Sequence, residues 1–206
     1  MKLFKLTLII ILSITMLTGC GGGSGGSSNP LDAYVEPGTD ANFLADARYT
    51  GIVTSCSAMT EALVDVSDLV YDPSDDSAAK ARTEVFMLNI ADDFKTADGK
   101  TGGAALKLLR DYTSSRLNRY TVSKYTFTPV AHKTVDADTV EVTTHIYITL
   151  KKKSWAGGKV PGIADEYDGP YEGANPVVVW KKDSAGNWKI HSGLPKEMYG
   201  PIGGGD

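Results

Sequence analysis

The hydrophobic period of this chain changes from one typical of helices to one typical of strands, and the change falls at Tyr120. Before that residue, apolar side chains recur at spacings of three and four; after it, they recur at every second position. Helices followed by a run of strands are typical of an α+β domain. We therefore expect N-terminal helices packed on one face of a curved antiparallel sheet of about four strands.

Three helices are predicted before Tyr120. The first ends at Asp72-Pro73, the second begins with N-cap candidates at Asp75 to Ser77, and the third runs from about Gly103 to Asn118. Because its apolar face continues to Phe94, the second helix is expected to end only at the Ala97-Asp98-Gly99 turn. On the third helix, Arg110, Arg116 and Arg119 are expected to contact water. The apolar faces of the first two helices are Cys56, Met59, Leu63, Val66 and Val70, and Ala79, Thr83, Phe86, Met87, Ile90 and Phe94.

Four strands are predicted after Tyr120, at 121–135, 139–151, 177–180 and 188–192. A long irregular loop at 154–175 separates the second strand from the third. The second strand alternates most clearly, which predicts one apolar face toward the helices and one more polar face. The apolar set is Val140, Val142, Ile146, Ile148 and Leu150, and the polar set is Glu141, Thr143, His145, Tyr147 and Thr149.

The region from Leu106 to Ser192 resembles the NTF2-like, or SnoaL-like, cone fold. The similar features are a helix bearing Leu-Leu-Arg-Asp-Tyr, the strand entry at 120–127 and the closing hairpin in which Trp180 and Trp188 flank a turn. The resemblance implies a cone-shaped cavity and places Asp93 near an acidic position that many members carry. A cystatin-like helix-on-sheet fold has a similar element order and is the structural alternative.

The N-terminus resembles a bacterial lipoprotein signal. Lys2 and Lys5 precede an apolar run from Leu6 to Met16, and Leu17-Thr18-Gly19-Cys20 resembles a lipobox. A transmembrane anchor is the alternative, but about a dozen apolar residues are too few to cross a bilayer core of about 30 Å. The resemblance implies cleavage before Cys20 and a diacylglyceryl group on its sulfur, so the membrane is an expected partner and the bacterial cell envelope the expected location.

This organisation gives a signal peptide at 1–19, a lipid-anchored tether at 20–40, one domain at 41–195 and a loose tail at 196–206. Without residues 1–19, the chain has 19 basic and 25 acidic residues. An acidic surface repels phosphate backbones, so nucleic acid is not an expected partner. With Cys20 lipidated, Cys56 is predicted to be a free thiol, buried on the apolar side of the first helix.

Three polar side chains of the sheet are candidates for acid–base chemistry. His145 and Tyr147 share the polar face of one strand, and His191 occupies the corresponding face of the last strand. A histidine titrates near neutral pH and a tyrosine hydroxyl stabilises a developing oxyanion, which together suit proton transfer. Asp93, near the end of the predicted second helix, is a further catalytic candidate.

The predicted loop at 154–175 supplies the candidates for ligand binding. Its aromatic residues Trp155, Tyr167 and Tyr171 are suited to sugar faces or apolar ligands. Carboxylates that lie close together suit Ca²⁺, but their spacing here matches no EF-hand loop, so neither a metal nor another cofactor is predicted. The carboxylates concerned are Asp165, Glu166 and Asp168.

Two functional hypotheses follow from these features. In the first, the tethered domain binds a small ligand or a protein partner of the envelope without catalysis. In the second, the domain is an acid–base enzyme of isomerase or dehydratase type, with His145, Tyr147 and His191 in its cavity. Hydrogen-bond distances between these side chains inside a concave site distinguish the enzyme from the binding module.

Overall fold

The computed structural model describes residues 38–64, 76–153, 166–170 and 175–199. The chain is an α+β domain, as predicted. Its helices are α1 (Ala41–Ala45), α2 (Thr50–Leu63), α3 (Ser77–Met87) and α4 (Gly102–Arg119), with 3-10 turns at Ala47–Tyr49 and Lys196–Met198. Its strands are β1 (Ile90–Lys95), β2 (Tyr120–Thr134), β3 (Thr139–Lys152), β4 (Glu166–Pro170), β5 (Val177–Lys182) and β6 (Trp188–Ser192).

The six strands of the described residues form one open sheet in the order β1-β6-β5-β3-β2, and β4 pairs with β3 beyond the end of β5. Pairing is antiparallel except between β1 and β6, which run parallel. The expected number of about four strands is therefore too low. The four predicted strands are β2, β3, β5 and β6, while β1 and β4 were not foreseen.

Strand β1 lies where the second predicted helix was expected to continue. Helix α3 ends at Met87, and the Asn89 side-chain amide donates to the carbonyls of Val85 and Phe86 in its last turn. Ile90 and Phe94 are both buried, as predicted, but as strand residues. The prediction that the helix reaches residue 97 is therefore wrong. The error arose because a spacing of four fits both the period of a helix and that of a strand.

Strand β4 lies inside the predicted irregular loop. Residues Glu166–Pro170 pair with the end of β3, where Leu150 is opposite Tyr167 and Thr149 is opposite Asp168. The loop prediction is therefore wrong for 166–170. Residues 154–165 and 171–174 lie outside the described part of the chain.

Two helix details differ from the sequence prediction. Helix α2 ends at Leu63 because Val64 adopts an extended conformation, with ψ of 133°, and Val66 and Val70 lie outside the described residues. Arg116, expected in water, is buried and its guanidinium donates to the carbonyl of Glu197. It follows Ala105, Leu109 and Thr113 along the buried side of α4, so its stem packs in the interior.

The core lies between the sheet and α2, α3 and α4. Trp180 and Trp188 are both buried there, and the Trp188 indole N–H donates to the carbonyl of Arg48 at 3.0 Å. Met198 and Tyr199 belong to the same core, and the Tyr199 hydroxyl accepts from the backbone N–H of Ala97 at 2.8 Å. The prediction of a loose tail is therefore wrong for 196–199.

Residues 1–37, which include Cys20 and the predicted tether up to that point, lie outside the described part of the chain. Within the described residues, none of the helices has both the length and the apolar character needed to cross a membrane. The predicted tether ends at residue 40, but Asp40 belongs to the fold, because its N–H donates to the carbonyl of Pro129 on β2 at 2.9 Å.

Candidate functional site

The space between the helices and the sheet is filled by apolar side chains. One void there, between α4 and β2, has a volume of about 10 Å³ and is lined in part by Thr113, Arg116 and Tyr125. A water molecule needs about 10–15 Å³, so this void holds one at most. Among the described residues, the interior void beside α4 therefore has no room for a substrate.

The histidines lie on the opposite face of the sheet, which we call the outer face. Alternation along β3 directs Val142 and Ile146 toward the helices and His145 and Tyr147 away from them, as predicted. His145 is nevertheless only 3% exposed. Its Nδ1 lies 2.8 Å from Oδ1 of Asn175, just before β5, and this contact contributes to its burial.

Tyr147 and its neighbours form a hydrogen-bonded group on the outer face. The Tyr147 hydroxyl donates to Oδ1 of Asp168 on β4 at 3.0 Å, and the Thr149 hydroxyl donates to the same oxygen at 2.6 Å. The Lys124 ammonium lies 4.3 Å from the centre of the Tyr147 ring, and the His145 and Tyr147 ring centres are 6.2 Å apart. The geometry places these groups in a network on the sheet, with Asp168 accepting two hydroxyls.

His191 lies in a different group, with Asp93. Its Nδ1 is 2.8 Å from Oδ1 of Asp93, which the parallel pairing of β1 with β6 brings alongside. The His191 side chain is 9% exposed, whereas that of Asp93 is 72% exposed. The buried imidazole of His191 thus orients the solvent-exposed carboxylate of Asp93. Both residues were candidates from the sequence, but their contact was not predicted, because Asp93 was placed on a helix.

His145 and His191 do not converge. Val179 pairs with Glu141 on one side and with Ser192 on the other, so His191 lies two strands from β3 and near the level of Glu141. His145 is four residues farther along β3. At about 3.3 Å per residue and about 4.8 Å per strand, their backbones are about 16 Å apart. The expected group of His145, Tyr147 and His191 is therefore two separate groups.

A cleft of about 560 Å³ borders the second group. It is formed by the end of α3, by β1 and by the β5–β6 hairpin, and Asp93 lines it. Charged groups of both signs line it: Asp92 and Asp93 on β1, and Lys181, Lys182, Asp183 and Lys189 on the hairpin. We call this site the β1–hairpin cleft. It combines a volume suited to a small molecule with a carboxylate held by an imidazole.

A second groove, of about 450 Å³, runs between α2 and the edge strand β2. Its lining includes Leu44, Val53, Cys56, Phe127 and Pro129. Cys56 is a buried free thiol, as predicted, and burial raises its pKa to about 12. A thiol with so high a pKa is almost entirely protonated near neutral pH, and the thiolate is the nucleophilic form. The groove therefore offers apolar surface without a reactive group from Cys56.

A third polar group, at the start of the domain, was not predicted from the sequence. Nδ1 of His132 lies 2.7 Å from Oδ2 of Asp40, while Oδ1 of Asp40 accepts from the N–H groups of Asn42 and Phe43 and caps α1. The hydrogen bond from His132 is the largest cause that lowers the pKa of Asp40. The Phe43, Tyr49 and His132 rings pack together beside it. The N-cap pattern Asp-x-x-Phe was the available signal in the sequence.

The other ligand and metal candidates are only partly described. Trp155, Tyr171 and Asp165 lie outside the described residues. Tyr167 packs against the core, with its hydroxyl donating to the carbonyl of Pro170 at 2.5 Å. Glu166 pairs with Lys151 at 2.7 Å. Over residues 38–64, 76–153, 166–170 and 175–199, no group of three or more His, Cys, Asp or Glu side chains is placed to hold a metal ion.

Comparison with known proteins adds a likeness of fold only. No protein-family model matches the chain, and a search of curated proteins gives no significant match. One similar solved structure is a variant of Rv3472, a function-unknown protein from Mycobacterium tuberculosis, with 16% identity and a TM-score of 0.41. The alignment covers 69% of this chain and 66% of that one, just under two thirds of its length.

A second similar structure is a conserved protein from Planctomyces limnophilus DSM 3776, with 17% identity and a TM-score of 0.46. The alignment covers 71% of this chain and 92% of that one. Likenesses at these values carry no argument about family or function, so the site has to be judged on its own chemistry.

Proposed function

We propose that this chain is a lipid-anchored protein of the bacterial cell envelope whose NTF2-like domain binds a small ligand or a protein partner without catalysing a reaction. The lipobox-like Leu17-Thr18-Gly19-Cys20 supports the anchor, and the order of α4, β2, β3 and the closing hairpin is compatible with the NTF2-like assignment. The observation that carries the binding function is the β1–hairpin cleft, an open site of about 560 Å³.

The placement of polar groups favours binding over catalysis. The proton-transfer candidates fall into two groups about 16 Å apart. The interior void beside α4 has a volume of only about 10 Å³, whereas the larger β1–hairpin cleft is open to solvent. An enzyme gains most from electrostatic groups in a site that excludes water, whereas a binding module needs only a concave surface with a few placed polar groups.

The anchor is tested by Cys20→Ser. We expect this variant to remain uncut and without lipid, because thioether formation needs the sulfur atom. Mass spectrometry of the membrane and soluble fractions measures both effects, and Cys56→Ser is the matched control that keeps the lipobox. If the Cys20→Ser protein stays in the membrane fraction at the mature mass of the wild type, the anchor is refuted.

The binding function is tested by ligand-observed NMR of the full-length protein in detergent with a library of small metabolites. Ligands found in this way are mapped by the chemical-shift changes that they cause in the protein. We expect the changes to fall on residues 87–93 and 181–189. If no compound binds, or if all changes fall elsewhere, the proposed site is refuted.

An acid–base enzyme is the second candidate, and the hydrogen bond between His191 and Asp93 at 2.8 Å is the observation that favours it. A carboxylate oriented by an imidazole is an arrangement used for general-base catalysis. The test is to incubate each ligand that binds with the protein and to follow its NMR spectrum for conversion. If the wild-type protein converts a ligand and the His191→Gln variant does not, the protein is an enzyme and the proposal of binding without catalysis is refuted.

A further inference from the structure

The β1–hairpin cleft has two carboxylates on β1 and three lysines with one carboxylate, that of Asp183, on the hairpin, and this arrangement defines a class of ligand. We propose that the cleft binds a zwitterion of the amino-acid or short-peptide type, with an ammonium group toward Asp93 and a carboxylate toward Lys181. This inference rests on the proposed function, since it assigns a ligand class to the same site. The charged groups on β1 and on the hairpin, together with the apolar residues that line the cleft, match such a ligand.

The acidic side of the cleft is held in place by the fold. Oδ1 of Asp93 is engaged by His191, whose own side chain is almost fully buried, so the carboxylate is oriented without being removed from solvent. Asp92 lines the cleft beside it. A carboxylate with an exposed oxygen and a fixed orientation is suited to an ammonium group, with which it forms a charge-assisted hydrogen bond.

The basic side contains two lysines at directly opposed positions. Lys181 on β5 pairs with Lys189 on β6, and like charges directly opposite each other destabilise a sheet. The Lys189 ammonium turns away and donates to the carbonyl of Leu88. Lys182 is engaged by the carbonyl of Ala137 and by Asp138. Lys181 makes no ion pair within 4 Å in the described part of the chain, and Asp136 acts on it only through a longer-range electrostatic interaction, so its ammonium can contact an anionic group.

The spacing of the two sides sets the length of the ligand. Asp93 and Lys181 lie on the strands that flank β6, with Lys181 opposite Lys189 and Asp93 beside His191 two residues farther along, so their backbones are about 12 Å apart. Ala91 and the 68% exposed Leu88 also line the cleft and offer apolar surface. A dipeptide with apolar side chains matches these features. The carboxylates of the cleft would repel a simple anion, and its lysines would repel a simple cation.

The test is isothermal titration of the full-length protein in detergent with the dipeptide Leu-Leu. Three further probes separate the contributions: N-acetyl-Leu-Leu lacks the ammonium group, Leu-Leu amide lacks the carboxylate, and free leucine is shorter. Asp93→Asn and Lys181→Gln remove one charge each from the cleft. Asp111→Asn and Lys107→Gln are matched controls, because that pair lies exposed on α4.

We expect Leu-Leu to bind, and each blocked dipeptide or cleft variant to weaken binding about tenfold, with the control variants unchanged. Asp93→Asn should affect Leu-Leu but not N-acetyl-Leu-Leu, and Lys181→Gln should affect Leu-Leu but not its amide. Tighter binding of leucine than of Leu-Leu would assign an amino acid instead of a peptide within the same class.

Equal binding of all four probes, or unchanged binding in both cleft variants, would overturn the ligand class. Absence of binding by all four probes would also overturn it. If other compounds still shift residues 87–93 and 181–189, the proposed binding function survives that result. If no compound does, both proposals fail.

Discussion

Replacement of Trp180 by alanine should remove a large part of the stability of this domain. Trp180 lies on β5, inside the sheet, and is 2% exposed on the face that the helices cover. An aromatic side chain buries about 150–250 Å², which at about 25 cal/mol per Å² is about 4–6 kcal/mol. This is an upper estimate, because unfolded chains already bury part of that area.

Truncation of a buried tryptophan typically costs about 3–5 kcal/mol, against a total of about 5–15 kcal/mol for a domain. The assay is urea unfolding followed by circular dichroism. With a slope of about 2 kcal/mol per M, Trp180→Ala should lower the midpoint by about 2 M. Trp188→Ala should have a large effect too, because Trp188 is also buried and its indole N–H bonds the carbonyl of Arg48.

His191→Ala is the matched comparison on the outer face. Its imidazole makes one hydrogen bond, to a carboxylate that is 72% exposed, so its removal should cost about 1 kcal/mol. The midpoint should then fall by about 0.5 M. If His191→Ala or His145→Ala lowers the midpoint more than Trp180→Ala does, the assignment of the core to the helix-covered face of the sheet is refuted.

Three further predictions concern other positions. Native protein should label slowly with a bulky thiol reagent at Cys56 and quickly once unfolded, since burial raises the pKa of this thiol to about 12; immediate labelling of the native state would contradict this. The pKa of Asp40 is lowered from 3.8, first by His132, so its carboxylate stabilises the fold above that pH and this stability is lost as the pH falls. Asp40→Asn, which keeps an acceptor for the helix cap, should therefore flatten the acid side of the stability curve below about pH 4, and an unchanged curve would rule out this role. Gly193→Ala should be far more destabilising in urea than Gly186→Ala, because both glycines have positive φ but only at Gly193 would a Cβ overlap a backbone carbonyl of β5; equal effects would refute the close approach.

The sequence predicted the elements whose pattern is unambiguous. Strict alternation over 139–151 predicted β3 to within one residue of its end and the faces of its apolar and polar sets, because one face is buried and a shift of one residue would expose the apolar set. The closing hairpin was predicted from its two tryptophans and the turn between them. In both cases the local pattern and the tertiary burial agree.

The remaining features depend on contacts between distant parts of the chain. Ile90 and Phe94 are spaced by four, which a helix and a strand both satisfy, so the pattern did not identify β1. The contact between Asp93 and His191 then went unpredicted, since it spans 98 residues and requires a parallel pairing that no local motif specifies. Arg116 was placed in water because of its charge, although its helical position is on the buried side.

The parallel pairing of β1 with β6 also determines the order in which the domain can be completed. Strand β1 precedes its partner β6 by about a hundred residues in the sequence. The Ile190 N–H donates to the carbonyl of Asn89 at 2.9 Å where the pairing begins. Closing so long a loop is slow, so β1 stays an open edge until almost the whole domain has been made. A chain that stops before residue 188 lacks β6, the partner of β1, and such an unpaired strand exposes the unfinished protein to aggregation and proteolysis.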